Sequence, residues 1–148
     1  MSQLIEQLKA DIKTAMRARE REKLSTLRML HSNLKNKRID EGKDLSDDDV
    51  VAVMAKAVKQ RKESAEAYEE GGRQELADKE RREIEWIRAY LPEPLSDDEA
   101  ADLVAEVIED TGASSRADMG RVMGTIVPKI KGRYDASKIK DIVLEQLS

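Results

Sequence analysis

Apolar residues recur at three- and four-residue intervals along most of the chain, and this spacing places side chains on one face of an α-helix. The C-terminal segment shows the pattern clearly at Ile139, Ile142, Val143 and Leu147. Two further stripes are Leu4, Leu8, Ile12, Ala15 and Met16, and Leu76, Ile84, Ile87 and Leu91. Taken along the whole chain, the pattern predicts seven helices and an all-α protein.

Short polar motifs predict where several of these helices begin. Ser46 precedes three aspartates, and Ser96 precedes Glu99 by three residues, which is the spacing of a capping box. Three adjacent carboxylates also suggest a hard metal ion, but no glycine or spaced oxygen ligand completes a binding loop. We therefore interpret residues 47–49 as acidic residues at the positive end of a helix dipole.

Two prolines interrupt the helical pattern once, in the middle of the chain. Pro92 and Pro94 favour an extended connection, because each restricts its own backbone and that of the preceding residue. We predict a domain boundary here. The expected architecture is a four-helix N-terminal helical domain, residues 1–92, followed by a small three-helix tail domain, residues 95–148.

Composition narrows the class of protein without naming a function. Of 148 residues, 39% are charged and 3% aromatic, which favours helices around thin aliphatic cores. Without cysteine there is no disulfide and no thiolate metal site. No apolar run approaches the length of a membrane span, and no leader-like segment begins the chain. We expect a soluble cytoplasmic protein with no membrane partner.

Charge is distributed unevenly around a net value of −4. Residues 1–39 carry ten basic and four acidic side chains, and residues 40–110 carry ten basic and twenty-three acidic ones. Residues 111–148 carry seven basic and four acidic side chains. Basic ends that flank an acidic middle are compatible with a polyanionic partner, with docking of unlike faces, or with solubility alone.

The segment Met119–Tyr134 concentrates glycine, proline and cations. Gly120 and Gly124 are four residues apart, so on a helix they share a face where another backbone can approach closely. Pro128 follows Gly124 by four residues and removes a helical N–H donor. We therefore expect the helix to kink or end at Pro128, and we expect the two glycines to permit close helix packing in the tail.

Cations surround the bend that follows. Lys129, Lys131 and Arg133 alternate around Gly132, just before a helix that starts near Asp135; we call residues 129–133 the basic corner. A glycine-containing bend ahead of a helix N-terminus is a candidate anion site, because unpaired N–H groups and the helix dipole favour negative charge. The alternative is an ordinary turn with solvated lysines.

No catalytic constellation is visible in the sequence. His31 is the only histidine and lies in a leucine-rich helix, where a structural role is the simpler interpretation. The chain has no phosphate-binding loop, no dinucleotide motif and no nucleophile elbow. We expect no catalytic residue, no cofactor and no metal.

Four motifs, taken together, resemble the YqeY-like family, which is related to the C-terminal tail of the tRNA-dependent Asp/Glu amidotransferase B subunit (GatB). They are Leu24-Ser25-Thr26-Leu27-Arg28-Met29-Leu30, Lys59-Gln60-Arg61-Lys62-Glu63-Ser64, Tyr90-Leu91-Pro92 with Leu95-Ser96, and Met119-Gly120-x-Val122-Met123 through Lys131-Gly132-Arg133-x-Asp135. The resemblance covers nearly the whole chain, and only the part from about Leu95 is similar to the amidotransferase tail. The chain departs from the commoner family form at Ala136, where glycine is usual.

The resemblance implies two helical domains, of which the small tail helps to hold tRNA in the amidotransferase. A label such as carbon–nitrogen ligase with glutamine as amido donor would be carried over from the related enzyme. We do not expect this activity of the chain alone. The expected function is a non-catalytic accessory protein that binds the tRNA backbone, with an aminoacyl-tRNA-related protein as a further partner. The residues expected to bind the nucleic acid are Lys129, Lys131, Gly132, Arg133, Lys138 and, on the same side, Arg121.

Two other functions stay open at this point. One is a helical protein–protein interaction adaptor without nucleic-acid binding, which the acidic middle of the chain fits better than it fits RNA binding. The other is an enzyme whose site the motifs do not reveal. Recovery of a defined protein partner after nuclease treatment favours the adaptor, and turnover with charged tRNA, ATP and glutamine favours the enzyme.

Overall fold

The computed structural model describes residues 2–147, and within them the secondary structure is entirely helical. The helices are α1 (Gln3–Arg17), α2 (Arg21–Glu41), α3 (Asp47–Glu70), α4 (Gln74–Arg88), α5 (Asp97–Thr111), α6 (Met119–Ile130) and α7 (Ala136–Leu147), with a single 3₁₀ turn at Arg116–Asp118. The predicted all-α class is therefore confirmed.

The helices group into two compact units. The first unit extends to Leu91 and contains α1 to α4, and the second begins at Pro92 and contains α5 to α7. Each unit has its own cluster of buried apolar residues. The division into domains at residues 1–92 and 95–148 stays a prediction.

Aliphatic side chains from all four helices fill the core of the first unit. Its fully buried members include Leu8, Leu27, Leu30, Leu34, Val50, Met54 and Ile87. Met16 and Leu76, expected on the inner stripes, are instead 50% and 38% exposed. Met16 lies in the last turn of α1 and Leu76 in the first turn of α4. The apolar spacing therefore continues to helix ends that lie outside the buried core.

The second unit is held together by small and β-branched residues. Its buried members are Ala100, Val104, Val107, Val122, Ile126, Ile130, Ile139, Val143 and Leu147. Each of α5, α6 and α7 packs against the other two. With no Phe or Trp in this part of the chain, the core is thin, and local capping and turn contacts are correspondingly important.

The predicted capping motifs form as expected. Ser46 accepts a hydrogen bond from the Asp49 N–H while Asp49 accepts one from the Ser46 N–H, and Ser96 and Glu99 repeat this arrangement. Asp47 has a second role, since its Oδ1 accepts from the Ser2 hydroxyl and, at 3.2 Å, from the Leu4 N–H. These hydrogen bonds lower the pKa of Asp47 and join the start of α3 to the start of α1.

The expectation that Gly120 and Gly124 permit close helix packing is wrong. Both glycines are exposed, and a Cβ atom built at either would meet no atom within 4 Å. The reason is the orientation of α6 about its own axis, which turns Val122, Ile126 and Ile130 toward the core. The two glycines therefore lie on the opposite, solvent-facing side of α6.

Pro128 does not end α6, which continues two residues further to Ile130. A proline removes a single N–H donor and crowds the carbonyl four residues earlier, here that of Gly124. Because Pro128 lies in the last turn, only one helical hydrogen bond is lost and the helix ends naturally soon afterwards. The bend that the sequence predicts begins after Ile130.

Candidate nucleic-acid interface

The basic corner is a tight turn between α6 and α7. Lys131 has φ −56° and ψ 121°, Gly132 has φ 74°, and the Arg133 N–H donates to the Ile130 carbonyl at 2.8 Å. These are the features of a type II turn, whose third residue needs the positive φ that glycine adopts without strain. Gly132 thus fixes the direction in which the chain leaves α6.

Arg133 is bound into the structure of the second unit. Its Nε donates to the Glu93 carbonyl at 3.0 Å, and its own carbonyl accepts from the Leu95 N–H at 2.9 Å. The pKa of Glu99 is lowered mainly by its capping bonds with Ser96, with a smaller contribution from the nearby Arg133 charge. Half-buried and hydrogen-bonded, Arg133 holds the segment before α5 against the turn.

The next residue reinforces that attachment. The Tyr134 hydroxyl donates to Asp97 at 2.6 Å, and this bond raises the pKa of Tyr134 to about 12. Together with the two bonds of Arg133, it connects the turn to the first residue of α5. The turn is therefore anchored by three hydrogen bonds to the segment 93–97.

The anion site expected at the start of α7 already contains a carboxylate. Asp135 Oδ1 accepts from the Ser137 N–H at 2.9 Å and from the Ser137 hydroxyl at 2.8 Å. The Asp135 carbonyl accepts the first helical bond, from the Ile139 N–H. Asp135 is therefore the N-cap of α7, and the helix dipole is complemented by the chain itself.

Three lysines remain exposed around this turn. Lys129, Lys131 and Lys138 are solvent-exposed, and no salt bridge links any of them to another residue within 2–147. Arg121 differs, because its guanidinium pairs with Asp118 at 3.2 Å. Of the six residues predicted to bind nucleic acid, the three lysines present unneutralised charge, whereas Gly132, Arg133 and Arg121 make internal structural contacts.

Charge is segregated within the second unit. Helix α5 carries seven acidic residues and no basic one, and all seven are exposed. Residues 116–140 carry seven basic and two acidic residues. The segment therefore has five more basic than acidic residues, and both acidic residues, Asp118 and Asp135, form capping or turn contacts.

A second polar cluster, which the sequence did not reveal, lies in the first unit. Arg61 and Glu83 are only 11% and 14% exposed, with 3.5 Å between Arg61 Nε and a Glu83 oxygen. The buried Thr26 hydroxyl donates to Glu83 at 3.2 Å. Burial, followed by the neighbouring Glu83 charge, raises the pKa of Glu80. The 57-residue separation of Thr26 and Glu83 explains why no local pattern indicated the cluster.

The structure defines the class as an all-helical protein of two compact units, with a cation-rich turn in the second. The chain belongs to the Yqey-like protein family, whose match spans residues 5–147. The family resemblance stated from the motifs is thereby confirmed.

Several of the relatives are proteins named "Altered inheritance of mitochondria protein 41, mitochondrial". The one from Lachancea thermotolerans is 32% identical over 146 residues, covering 94% of this chain and 78% of the relative. The one from Pyrenophora tritici-repentis is 26% identical over 147 residues, covering 95% and 81%. The similarity therefore includes both units.

These names contradict the predicted cytoplasmic location, because they place the relatives in mitochondria. The prediction was based on composition and on the lack of an apolar run, and neither property reports which compartment a protein occupies. No helix in residues 2–147 combines the length and the apolar character that crossing a bilayer requires.

Proposed function

We propose that this protein is a non-catalytic accessory protein that binds the sugar–phosphate backbone of tRNA through the second unit. The observation that carries the proposal is the group of three exposed lysines, 129, 131 and 138, with no salt-bridge partner in residues 2–147. The similarity of the second half to the amidotransferase tail favours tRNA over other polyanions. The two units correspond, in this proposal, to an N-terminal domain and a tRNA-binding tail.

The chemistry of these residues favours contacts to phosphates. Lysine ammonium groups bind phosphate as point charges, and Lys129, Lys131 and Lys138 lie at the two helix ends that meet at the turn. Base stacking is disfavoured, because Tyr134 is the only aromatic residue in the second unit and its hydroxyl is bonded to Asp97. Recognition would therefore depend on the shape and charge of the folded RNA.

Charge reversal of Lys129, Lys131 and Lys138 to Glu tests the proposal. Arg133 is left unchanged, since its bonds to Glu93 and Leu95 support the fold. The variant is expected to lose tRNA binding while its circular dichroism and melting temperature stay close to those of the original protein. Affinity is measured by fluorescence anisotropy with labelled tRNA.

The matched control reverses Lys13, Lys56 and Lys59, three exposed lysines of the first unit, and changes the net charge equally. It should retain most of the tRNA affinity. Equal losses in the two variants would attribute binding to net charge alone, and unchanged affinity in the first variant would exclude the three lysines as the binding site.

A second candidate is the protein–protein adaptor. It is favoured by the seven exposed acidic residues of α5, which give the second unit a surface that repels RNA and attracts a basic protein. A partner that is recovered after nuclease treatment, and lost when Asp102, Glu106 and Glu109 are changed to Lys, would support this function in place of tRNA binding.

A further inference from the structure

A concave site in the first unit lies where the start of α1 meets the end of α2. The cavity has a volume of about 240 Å³ and is open to solvent. Its lining includes Ile5 from α1, His31 and Leu34 from α2, and Leu45 from the connection to α3. Neither the proposed tRNA interface nor the polar cluster around Arg61 includes any of these residues.

The floor of the cavity is apolar and firmly held. Leu34 and Leu45 are buried, and Ile5 is half-buried beside them. Ser2, also buried, fixes the start of α1 because its hydroxyl donates to Asp47 and accepts from the Ile5 N–H. The volume of about 240 Å³ is enough for a short hydrocarbon chain or a single ring, one side of which stays open to solvent.

The rim of the cavity is cationic. Lys9, Lys35 and Arg38 line it together with His31, and Asp44 is the one acidic residue of the lining. Arg38 and Asp44 form a salt bridge at 2.9 Å, and Lys9 is 3.5 Å from Glu6. Lys35 is exposed and forms no salt bridge within residues 2–147.

The positive surface extends beyond the cavity itself. A shallower depression shares Lys35, Arg38 and Asp44 with the cavity and adds Lys43, on the far side of Gly42. Gly42 ends α2 with φ 67°, so the chain turns here and brings Lys43 to the same concave surface as Lys35. An apolar floor surrounded by several cations is complementary to a molecule with an apolar body and an anionic head.

We infer that this cavity binds a small anionic amphiphile, a molecule whose short hydrocarbon or ring portion enters the cavity and whose carboxylate or phosphate contacts the cationic rim. Contact with the half-buried Ile5, beside the already buried Leu34 and Leu45, supplies hydrophobic burial, and Lys9 and Lys35 supply charge complementarity. The site belongs to the first unit, whereas the tRNA interface is proposed for the second.

The test uses octanoate as the probe, with the full chain and methyl-detected NMR. Octanoate is expected to shift the signals of Ile5, Leu34 and Leu45 saturably, with millimolar or tighter affinity. Octan-1-ol should bind at least tenfold more weakly, and octylammonium should bind more weakly still, because only the head group differs. Octyl phosphate should bind at least as well as octanoate.

Two variants separate the roles of charge and cavity. Changing Lys9 and Lys35 to Glu should weaken octanoate binding at least tenfold, whereas changing Lys13 and Lys56 to Glu should leave it unchanged. Ile5→Trp should abolish binding by filling the cavity, and the melting temperature verifies that this variant is folded.

Several results would overturn the inference. Equal binding of octanoate and octylammonium would remove any role for the cationic rim. Shifts confined to the basic corner, or no saturable shift at millimolar octanoate, would exclude the cavity as the site. If the Lys9 and Lys35 changes weaken tRNA binding while octanoate binds nowhere, these lysines belong to a nucleic-acid surface instead.

Discussion

Lys131 and Arg133 are two residues apart, yet their charges have different surroundings. Lys131 is exposed without a salt bridge in residues 2–147, while Arg133 is half-buried and donates to the Glu93 carbonyl. Arg61 resembles Arg133 in this respect, since its guanidinium donates to the Ala57 carbonyl at 3.1 Å and lies 3.5 Å from a Glu83 oxygen. A cation in the sequence therefore indicates a binding residue only after its internal partners are known.

Glu80 offers a test of the polar cluster at this scale. Its pKa is raised above 4.5, so the folded protein holds the proton more tightly than the unfolded chain does. The stabilisation that this proton gives is complete below about pH 4 and is lost as the pH rises through the raised pKa. Glu80→Gln, which is neutral at all pH values, should therefore raise the melting temperature near neutral pH.

The gain should be below about 1 kcal/mol, because Glu80 is only partly buried, and it should vanish in acid. Glu63→Gln, at an exposed position of α3 outside the cluster, is the control. A stability gain that is the same at both pH values would show that charge at Glu80 is not its cause.

At the scale of the element, glycine has opposite roles within one short segment. Gly132 supplies the positive φ of the turn after α6, whereas Gly124 lies on the exposed side of that helix with space around it. Glycine inside a helix costs backbone entropy, and a side chain in the left-handed region costs steric strain. The two positions should therefore respond in opposite directions to the same substitution.

Gly132→Ala should lower the free energy of unfolding by about 1–2 kcal/mol, through the strained φ at the turn. Gly124→Ala should raise it by about 0.5–1 kcal/mol, because the new methyl group meets no neighbour and favours the helix. Urea unfolding followed by circular dichroism measures both. Destabilisation of similar size at both positions would contradict the assigned geometry.

Two substitutions at Asp135 distinguish its effect on the stability of α7 from the effect of its negative charge on tRNA binding. Asp135→Ala removes the N-cap and should cost about 1 kcal/mol, while Asp135→Asn keeps a capping side chain and should cost little. Both changes remove a negative charge beside Lys131 and Lys138, so both should strengthen tRNA binding. Unchanged or weaker binding of the folded Asp135→Asn variant would argue against phosphate contacts at this turn.

The sequence predicts the helices better than it predicts the contacts between residues that are far apart in the chain. Apolar spacing and local caps such as Ser46 with Asp49 depend on residues three or four apart, and these features form as predicted. The bond from Ser2 to Asp47 spans 45 residues, and no local spacing contains that information. The solvent-facing position of Gly124 was missed for a related reason, since small residues four apart do not reveal which face of a helix is buried.

For the candidate site, the sequence identified the segment but not which of its charged side chains have partners within the protein. Spacing alone placed Lys129, Lys131 and Arg133 around one bend, and the structure has a type II turn there. That Arg133 and Arg121 are already bonded, and that Asp135 caps α7, depends on side-chain geometry. The predicted role of these residues in tRNA binding remains a prediction.

At the scale of the whole molecule, each unit has its own cationic surface. In the second unit the lysines around the turn contrast with the acidic helix α5, and in the first unit lysines surround an apolar cavity. The family match extends over both units, from residue 5 to residue 147. We therefore expect the first unit to have a role of its own beside that of the tail.

The salt dependence of tRNA binding tests the central proposal most directly. If Lys129, Lys131 and Lys138 each contact a phosphate, the logarithm of the affinity should fall against the logarithm of salt concentration with a slope of about −3. Reversal of all three lysines to Glu should remove binding, and reversal of one alone should reduce the slope by about 1. If these substitutions leave the salt-dependence slope unchanged, the proposal that the lysines at this turn contact the tRNA backbone is contradicted.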